Sequence, residues 1–278
     1  MIPTRKFAAG CVMPAFGLGT WRMGEDPARR RDEIAALRLG LDLGVTLIDT
    51  AELYGDGQAE EMVAEAVAGR REQVFLVSKV LPHNADRAGT IRAAEASLRR
   101  LATDWIDLYL LHWRGEYPLA ETLEAFMDLR RQRKIRFFGV SNFDLEDMEE
   151  VAAVAGGGDV AVNQILHNPS CRGPERRLIP WCRRRGVGIM AYSPLEQGRL
   201  SRPPGLVATA ARHGVSPEQV ALAWLMSRDD VVVIPKATKA DHVRDDIAAV
   251  GLHLDDEDRR RLETAFPMPD FDAPLGTA

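Results

Sequence analysis

Short apolar runs that alternate with amphipathic segments are the feature that most constrains the fold of this chain. Eight such runs, each bounded by turn residues, predict β-strands at 15–20, 46–49, 74–80, 106–112, 135–140, 160–165, 188–192 and 231–234. Helical periodicity recurs between them, as at 27–43, where Ile34, Leu37 and Leu41 form one apolar stripe. No linker rich in Pro, Gly or Ser divides the chain, so we predict one α/β domain over residues 1–278.

Two architectures suit this alternation: an open doubly wound sheet and a closed (β/α)8 barrel. The strands are nearly continuous apolar runs, which is typical of a parallel sheet covered on both faces. An open dinucleotide-binding sheet would be favoured by a GxGxxG sequence after the first strand, but GLGTWR at 17–22 lacks the third glycine. Eight strands in about 250 residues match the (β/α)8 arrangement. We therefore predict a single-domain TIM barrel with its site at the carboxyl ends of the strands.

Composition excludes several classes of partner. The net charge of -5 and the pI near 5.8 disfavour nucleic acid and anionic membranes, and we interpret the basic runs at 29–31, 130–134, 183–185 and 259–261 as solvated helix faces. Three cysteines without a CxxC pair argue against a disulfide framework and favour the cytoplasm. No apolar stretch has the length of a membrane span. The histidine spacing suggests no metal site, and we expect a monomer or a weak homo-oligomer.

Polar and titratable side chains should collect where each strand of a barrel enzyme ends. The sequence shows this pattern at the ends of most of the apolar runs, with Asp49, Tyr54, Lys79, His112, Ser141, Asn142, Asn163, Gln164, Tyr192, Ser193 and Lys236. A charged Lys79 at a strand end would be unfavourable without a partner, and Asp49 on the neighbouring strand is the expected one.

These strand-end groups predict a proton donor. An unperturbed tyrosine has a pKa of about 10 and is a poor acid near neutrality. We expect a nearby Lys79 ammonium to stabilise the Tyr54 phenolate and lower that pKa, with Asp49 holding the ammonium in place. His112 can form a hydrogen bond to the same substrate oxygen. A proton donor beside a polar oxygen site suits carbonyl reduction, if another group supplies hydride.

Along nearly its whole length the chain resembles the aldo-keto reductase family. The resemblance rests on eight ordered motifs at strand ends: GLGTW at 17–21, LIDTAELYG at 47–55, LVSK at 76–79, LLHW at 110–113, GVSNF at 139–143, VNQ at 162–164, AYSPL at 191–195 and IPK at 234–236. Any one of them is a weak signal, but eight in order are highly specific.

The resemblance implies a (β/α)8 barrel that binds NADPH, with a catalytic tetrad of Asp49, Tyr54 as acid, Lys79 and His112. It further implies that Ser141, Asn142 and Gln164 hold the nicotinamide carboxamide and that Tyr192 stacks on the ring. The remaining cofactor contacts that it implies are Thr20, Ser193, Leu195, Lys236, Thr238 and His242.

One of these motifs departs from the family pattern. In many members a lysine, a small hydroxyl residue and an arginine six positions after the lysine bind the 2′-phosphate of the cofactor. Here Lys236 is present, but Ala237 replaces the hydroxyl residue and His242 stands at the arginine position. A neutral imidazole is a poorer phosphate partner than a guanidinium. We still expect NADPH rather than NADH, with Thr238 or Lys239 compensating.

The substrate follows from the walls of the pocket. Trp21 and Trp113 match family positions that form an apolar pocket around one polar corner. The loop after His112 and the tail after Phe266 are both short, which indicates an open site for small aldehydes. Several stretches are similar to bacterial methylglyoxal reductases of the family. We expect a small aldehyde or 2-oxoaldehyde as substrate.

Two other functions remain open at this point. The same barrel serves as an NADPH-binding regulatory subunit with slow turnover, although the chain shows no long apolar patch for a partner. An unrelated glycosidase barrel would use two carboxylates, for which Glu52 and Asp56 are the candidates, but Lys79 and Tyr54 would then have no role.

Overall fold

The computed structural model describes residues 1–277 and contains a barrel of eight parallel strands. A two-stranded antiparallel hairpin precedes it, formed by β1 (Thr4–Lys6) and β2 (Val12–Pro14). The barrel strands are β3 (Gly17–Gly19), β4 (Leu47–Asp49), β5 (Phe75–Val80), β6 (Ile106–Leu111), β7 (Ile135–Ser141), β8 (Val160–Leu166), β9 (Gly188–Tyr192) and β10 (Val231–Val233). All eight predicted strands and the predicted barrel are therefore confirmed.

Within the described residues, ten α-helices surround the strands. They are α1 (Arg30–Asp42), α2 (Gln58–Val67), α3 (Arg87–Arg100), α4 (Leu119–Arg131), α5 (Leu145–Ala153), α6 (Leu178–Arg184), α7 (Pro204–His213), α8 (Pro217–Met226), α9 (Ala240–Ala248) and α10 (Asp256–Ala265). At least one helix follows each barrel strand, as parallel neighbours require. None of the helices in residues 1–277 combines the length and the apolar character needed to cross a bilayer.

The barrel closes between its first and last strands. Sequential strands pair in parallel from β3 to β10, and a parallel bridge joins Phe16 to Val233. The Val233 amide donates to the carbonyl oxygen of Ala15 at 3.0 Å. This closure joins residues more than 200 positions apart and brings the two ends of the strand order together.

The hairpin at the amino-terminal end of the barrel was not predicted from the sequence. Its strands have three residues each, too few for a recognisable apolar alternation. Phe7, which lies between them, covers the bottom of β9, where a Cβ added at Gly188 would come within 2.7 Å of its ring. Cys11 and Met13 are fully buried and join the apolar interior of the barrel. The hairpin therefore forms the floor of the barrel.

Strand alternation places the candidate site above this apolar interior. Leu47, Val77, Leu108 and Val162 belong to the interior cluster, and successive residues of a strand point to opposite sides. The residue two positions further along each of these strands therefore also points inward, nearer the carboxyl end. In β4 this residue is Asp49.

Candidate active site

Four side chains from three consecutive strands meet at the carboxyl end of the barrel. Asp49 ends β4, Lys79 is the second-last residue of β5, and His112 directly follows β6. Tyr54 begins a short 3-10 turn, Tyr54–Gly57, after β4. The inward alternation of the strands and this turn bring together the four residues that the sequence predicted.

Lys79 is the centre of the group and is completely buried. Its Nζ lies 2.8 Å from Asp49 Oδ2, 2.8 Å from the carbonyl oxygen of Thr50 and 3.1 Å from the Tyr54 hydroxyl. These three contacts use the full donor capacity of an ammonium group. The other Asp49 oxygen, Oδ1, accepts a hydrogen bond of 2.7 Å from Gln164 Nε2. The predicted Asp49–Lys79 pair is therefore present as a fully satisfied buried ion pair.

The electrostatic environment keeps Lys79 charged. Burial alone lowers the pKa of Lys79, but the Asp49 carboxylate and the contact with Tyr54 outweigh it and raise the pKa above its usual range. The ammonium also lies 4.7 Å from the centre of the Tyr54 ring, within cation–π range. A fixed positive charge is therefore present beside the phenol.

The Tyr54 phenol is kept protonated. Burial raises the pKa of Tyr54, the Lys79 charge works to lower it, and the Asp49 charge adds to the increase. The net direction is upward, so the prediction that Lys79 would bring the pKa of Tyr54 below its ordinary value is wrong. The reason is that desolvation in this buried position outweighs the neighbouring ammonium. At neutral pH the group holds the proton that an acid must donate.

His112 is held as a neutral imidazole. Burial and then the Lys79 charge lower its pKa to about 2. Its ring stands edge-on to the Tyr54 ring, with 5.8 Å between centroids and 77° between planes. Among the described residues, none forms a hydrogen bond to its Nδ1. Because the ring stays neutral across the physiological range, it can orient an oxygen through an N–H group but cannot act as the acid.

A cleft of about 1180 Å³ opens above these residues. At one end lie Tyr54 and His112, with Trp21 and Trp113 forming apolar walls that are 38% and 37% exposed. Lys236 also lines the cleft. The predicted cofactor residues that line it are Ser141, Asn142, Gln164, Tyr192, Ser193, Leu195, Lys236 and His242.

A hydrogen-bonded group of amides and hydroxyls forms the middle of the cleft. The Tyr192 hydroxyl donates to Asn142 Oδ1 at 2.8 Å, and Asn142 Nδ2 donates to the carbonyl oxygen of His112 at 3.1 Å. Ser141 Oγ donates to the carbonyl oxygen of Gln164 at 2.9 Å. Asn142 takes a left-handed conformation with φ of 59°, which asparagine tolerates better than most residues. The bond to Asn142 holds the planar ring of Tyr192 beside the amide side chains of the cleft.

Three of the predicted residues do not line the cleft. Lys79 lies behind Asp49 and Tyr54. The buried Thr20 hydroxyl donates to the carbonyl oxygen of Asp49 at 3.0 Å, so it supports the end of β4. Thr238 accepts a hydrogen bond from Arg29 Nη2 at 3.3 Å.

Acidic residues that sequence reasoning missed also line the cleft. Glu218 lies on α8, and Asp245 and Asp246 lie on α9. Burial raises the pKa of Asp246 to about 7, and the charges of Asp245 and Glu218 add to the effect. No strand end marks these positions, and charged residues on a helix usually indicate a solvated face, so the sequence offered no signal for them.

The carboxyl-terminal tail also reaches the site. Arg176 bonds to Asp272 at 3.2 Å and to the carbonyl oxygen of Pro269 at 3.0 Å, and Thr277 lines the cleft. The tail was expected to leave the rim open because it is short. Instead, its last described residue contributes to the wall.

Comparison with known proteins agrees with this geometry. Residues 15–266 match the model of the aldo/keto reductase family. The chain belongs to the aldo/keto reductase family. Methylglyoxal reductase YeaE of Escherichia coli K12 is 48% identical over 271 residues, which cover 95% of each chain. Glyoxal reductase of Bacillus subtilis is 32% identical over 273 residues, 96% of each chain.

Solved structures of this family share the whole architecture. An aldo-keto reductase from Klebsiella pneumoniae, crystallised in complex with NADPH, superposes with a TM-score of 0.95 at 44% identity, with 100% of both chains covered. The thermostable aldo-keto reductase Tm1743, crystallised with the inhibitor epalrestat, gives a TM-score of 0.89 at 39% identity over 95% of this chain and all of the other. Both values support the family assignment and the barrel.

Proposed function

We propose that this protein reduces small aldehydes or 2-oxoaldehydes of the methylglyoxal type to alcohols, with NADPH as cofactor and Tyr54 as the proton donor. The observation that carries the proposal is the 3.1 Å contact between Lys79 Nζ and the Tyr54 hydroxyl, next to a neutral His112 and at the wall of the cleft. YeaE and the glyoxal reductase of Bacillus subtilis, whose names state such substrates, support the choice of substrate class.

The donor set along the cleft fits NADPH. Asn142 and Ser141 would hold the nicotinamide carboxamide, and the Tyr192 ring would stack on the nicotinamide. Gln164 Nε2 is already engaged by Asp49 and Met190, so its oxygen is the atom that can accept from the carboxamide. Ser193 and Leu195 would line the pyrophosphate, Thr20 would support the nicotinamide end through β4, and Lys236, Thr238 and His242 would contact the 2′-phosphate.

Proton transfer follows from the protonation states of the tetrad. NADPH, when bound, supplies the hydride that reduces the carbonyl carbon. The Tyr54 O–H bond breaks and its proton passes to the carbonyl oxygen, which becomes the alcohol hydroxyl. The phenolate left on Tyr54 is stabilised by Lys79, whose charge Asp49 balances. His112 donates a hydrogen bond to the same carbonyl oxygen and orients it.

The pocket walls support a small substrate. Trp21 and Trp113 place apolar surface on the substrate end of the cleft, while Tyr54 and His112 supply its polar corner. A small 2-oxoaldehyde presents one reactive carbonyl to that corner and little further surface. The tail residue Thr277 adds to the wall of the same cleft.

The test is the loss of NADPH absorbance with methylglyoxal and a panel of small aldehydes, beside an NADH control. We expect rapid oxidation of NADPH and slower oxidation of NADH. Tight NADPH binding without carbonyl-dependent oxidation across the panel would contradict the proposal and favour a regulatory cofactor-binding subunit.

A further inference from the structure

We propose that Arg29 is a determinant of NADPH preference and binds the 2′-phosphate together with Lys236. It takes the role of the arginine that is common in the family at the position of His242. The inference deepens the proposed function and depends on its choice of cofactor. It concerns a residue at the start of α1, far in sequence from the loop that carries Lys236.

The fold brings Arg29 to this loop. The residue ends a 3-10 turn, Pro27–Arg29, which Asp26 caps by accepting from the Ala28 amide at 3.0 Å. Helix α1 then packs against α9, the helix that carries His242. Arg29 Nη2 donates to Thr238 Oγ1 at 3.3 Å. The guanidinium thus reaches the segment two residues beyond Lys236.

Arg29 forms one long ion pair among the described residues. Its nearest acid is Glu33, at 3.9 Å from Arg29 Nε to Glu33 Oε1. The other Glu33 oxygen accepts from the Gly24 amide at 3.0 Å, so part of this carboxylate's capacity is already used. The Arg29 side chain is 54% exposed, which leaves it free to turn toward a ligand. The Glu33 carboxylate is buried, but at 3.9 Å it lies beyond hydrogen-bond distance of Arg29 Nε. The guanidinium N–H groups that do not bond to Thr238 therefore remain available to a phosphate.

Several cations converge on the same place. The pKa of Lys236 is lowered, chiefly by desolvation. The Glu33 charge opposes this change, the charges of Arg29 and Arg22 add to it, and the Glu25 charge opposes it. Arg22 and Lys236 both line the cleft. Like charges that crowd an ammonium are unfavourable, and here Glu33 and Glu25, which pairs with Arg22 at 3.3 Å, offset part of that repulsion. A phosphate bound here would relieve that repulsion, so the cluster is suited to a dianionic group.

The chemistry of His242 explains why a second cation is needed. The two ring nitrogens of an imidazole point in different directions and cannot form a fork of paired donors. A guanidinium is always charged and offers paired N–H donors that match the geometry of phosphate oxygens. NADPH and NADH differ only in the 2′-phosphate, so a group that contacts this phosphate alone separates the two cofactors.

The neighbouring arginines supply the control. Arg30 pairs with Glu65 at 3.3 Å. Arg31 lines a different groove on the outside of the barrel, together with Arg38 and Asp42. Arg31→Gln therefore removes the same charge from the same segment without touching the Thr238 contact.

The experiment measures dissociation constants of NADPH, NADH and adenosine 2′,5′-bisphosphate by fluorescence titration. The proteins are the wild type, Arg29→Gln, Arg29→Lys and Arg31→Gln. We expect Arg29→Gln to weaken NADPH and the bisphosphate about tenfold, which corresponds to about 1.4 kcal/mol. Arg29→Lys should recover part of the loss, because it keeps the charge but not the paired donors. NADH binding should change by less than about twofold in every variant, as expected of a surface substitution.

Several outcomes would overturn the inference. They are an equal loss for NADPH and NADH in Arg29→Gln, no loss for either, or the same loss of NADPH in Arg31→Gln. If the wild type binds NADPH no more tightly than NADH, the choice of cofactor fails and the inference fails with it. If the selective loss is observed but no carbonyl is reduced, the inference stands and only the substrate assignment fails.

Discussion

The two ends of the barrel carry opposite kinds of side chain. At the amino-terminal end, Phe7, Cys11 and Met13 from the hairpin region form a floor that is almost fully buried and apolar. At the carboxyl end, the inward alternation of the barrel strands presents Asp49 to the cleft, with the buried Lys79 bonded behind it. On β5, for example, Val77 packs in the apolar interior, and Lys79, two residues later, belongs to the polar cluster.

The two ends differ in how they contribute to the free energy of folding. The floor gains free energy from burial, because apolar surface is removed from water. The top instead contains a buried ammonium, Lys79, that is tolerated only because its donors are satisfied. Substitutions at the floor should therefore change the unfolding free energy and leave kcat unchanged. A substitution at the top that keeps the packing should lower kcat and leave the unfolding free energy unchanged.

Tyr54→Phe should give the largest effect and the sharpest separation of the two ends. We expect kcat to fall by about 10²- to 10⁴-fold, the usual contribution of a positioned acid. The Phe ring retains the packing against His112, so the urea midpoint and NADPH binding should change little. Steady-state kinetics and cofactor titration on the same preparation measure both. Undiminished turnover would remove Tyr54 from the role of acid.

Lys79→Met tests whether the top of the barrel also contributes to the stability of the fold. The substitution leaves the Asp49 carboxylate buried without its ion-pair partner, and such a change costs about 3–5 kcal/mol of unfolding free energy. Urea denaturation measures the loss. The double variant Asp49→Asn/Lys79→Met removes both charges and should recover much of the stability, while activity stays lost. A single variant as stable as the wild type would show that the ion pair is not needed for folding.

Most of the barrel could be predicted from the sequence because its strands are buried on both faces and are therefore continuous apolar runs. The cluster at the top of the barrel was predictable for a related reason: Asp49, Lys79 and His112 each interrupt or end such a run. The hairpin was not, since its strands of three residues have no measurable period. The direction of the Tyr54 pKa was also missed, because burial depends on packing that the sequence does not display.

Long-range contacts between helices explain the remaining differences. Arg29 reads as part of a solvated basic run, yet it contacts Thr238, 209 residues away. Asp246 reads as a surface acid on a charged helix, yet it is buried in the cleft wall. Neither placement leaves a local pattern, because each depends on how α9 packs beside its neighbours.

Met13→Ala tests the floor of the barrel. Met13 is fully buried among interior residues, so its truncation leaves a cavity and should lower the unfolding free energy by about 2–5 kcal/mol. Turnover below the unfolding transition should match that of the wild type. Val12→Ala is the control, since Val12 is 49% exposed in the same strand and should change stability by less than about 0.5 kcal/mol. A large fall in kcat without loss of stability would break the separation between the two ends.

Asp246→Asn gives the smallest expected effect and extends the comparison to the far wall of the cleft. Burial, reinforced by Asp245 and Glu218, raises the pKa of Asp246 from 3.8 to about 7. Because the folded state favours the protonated acid, the corresponding stability is complete below about pH 4 and is lost as the pH rises to about 7. The unfolding free energy of the wild type should therefore fall relative to that of Asp246→Asn across this interval.

Urea denaturation at pH 4.5 and pH 8 measures the difference, which we expect to be roughly 1–3 kcal/mol, within the limit of about 1.4 kcal/mol per unit of pKa. Asp241→Asn is the matched control, because Asp241 is exposed on the first turn of the same helix and should not alter the pH dependence. Parallel curves for the wild type and Asp246→Asn would mean that Asp246 ionises normally in the folded protein. The cleft wall at α9 would then resemble a solvated helix face rather than the buried, charge-bearing top of the barrel.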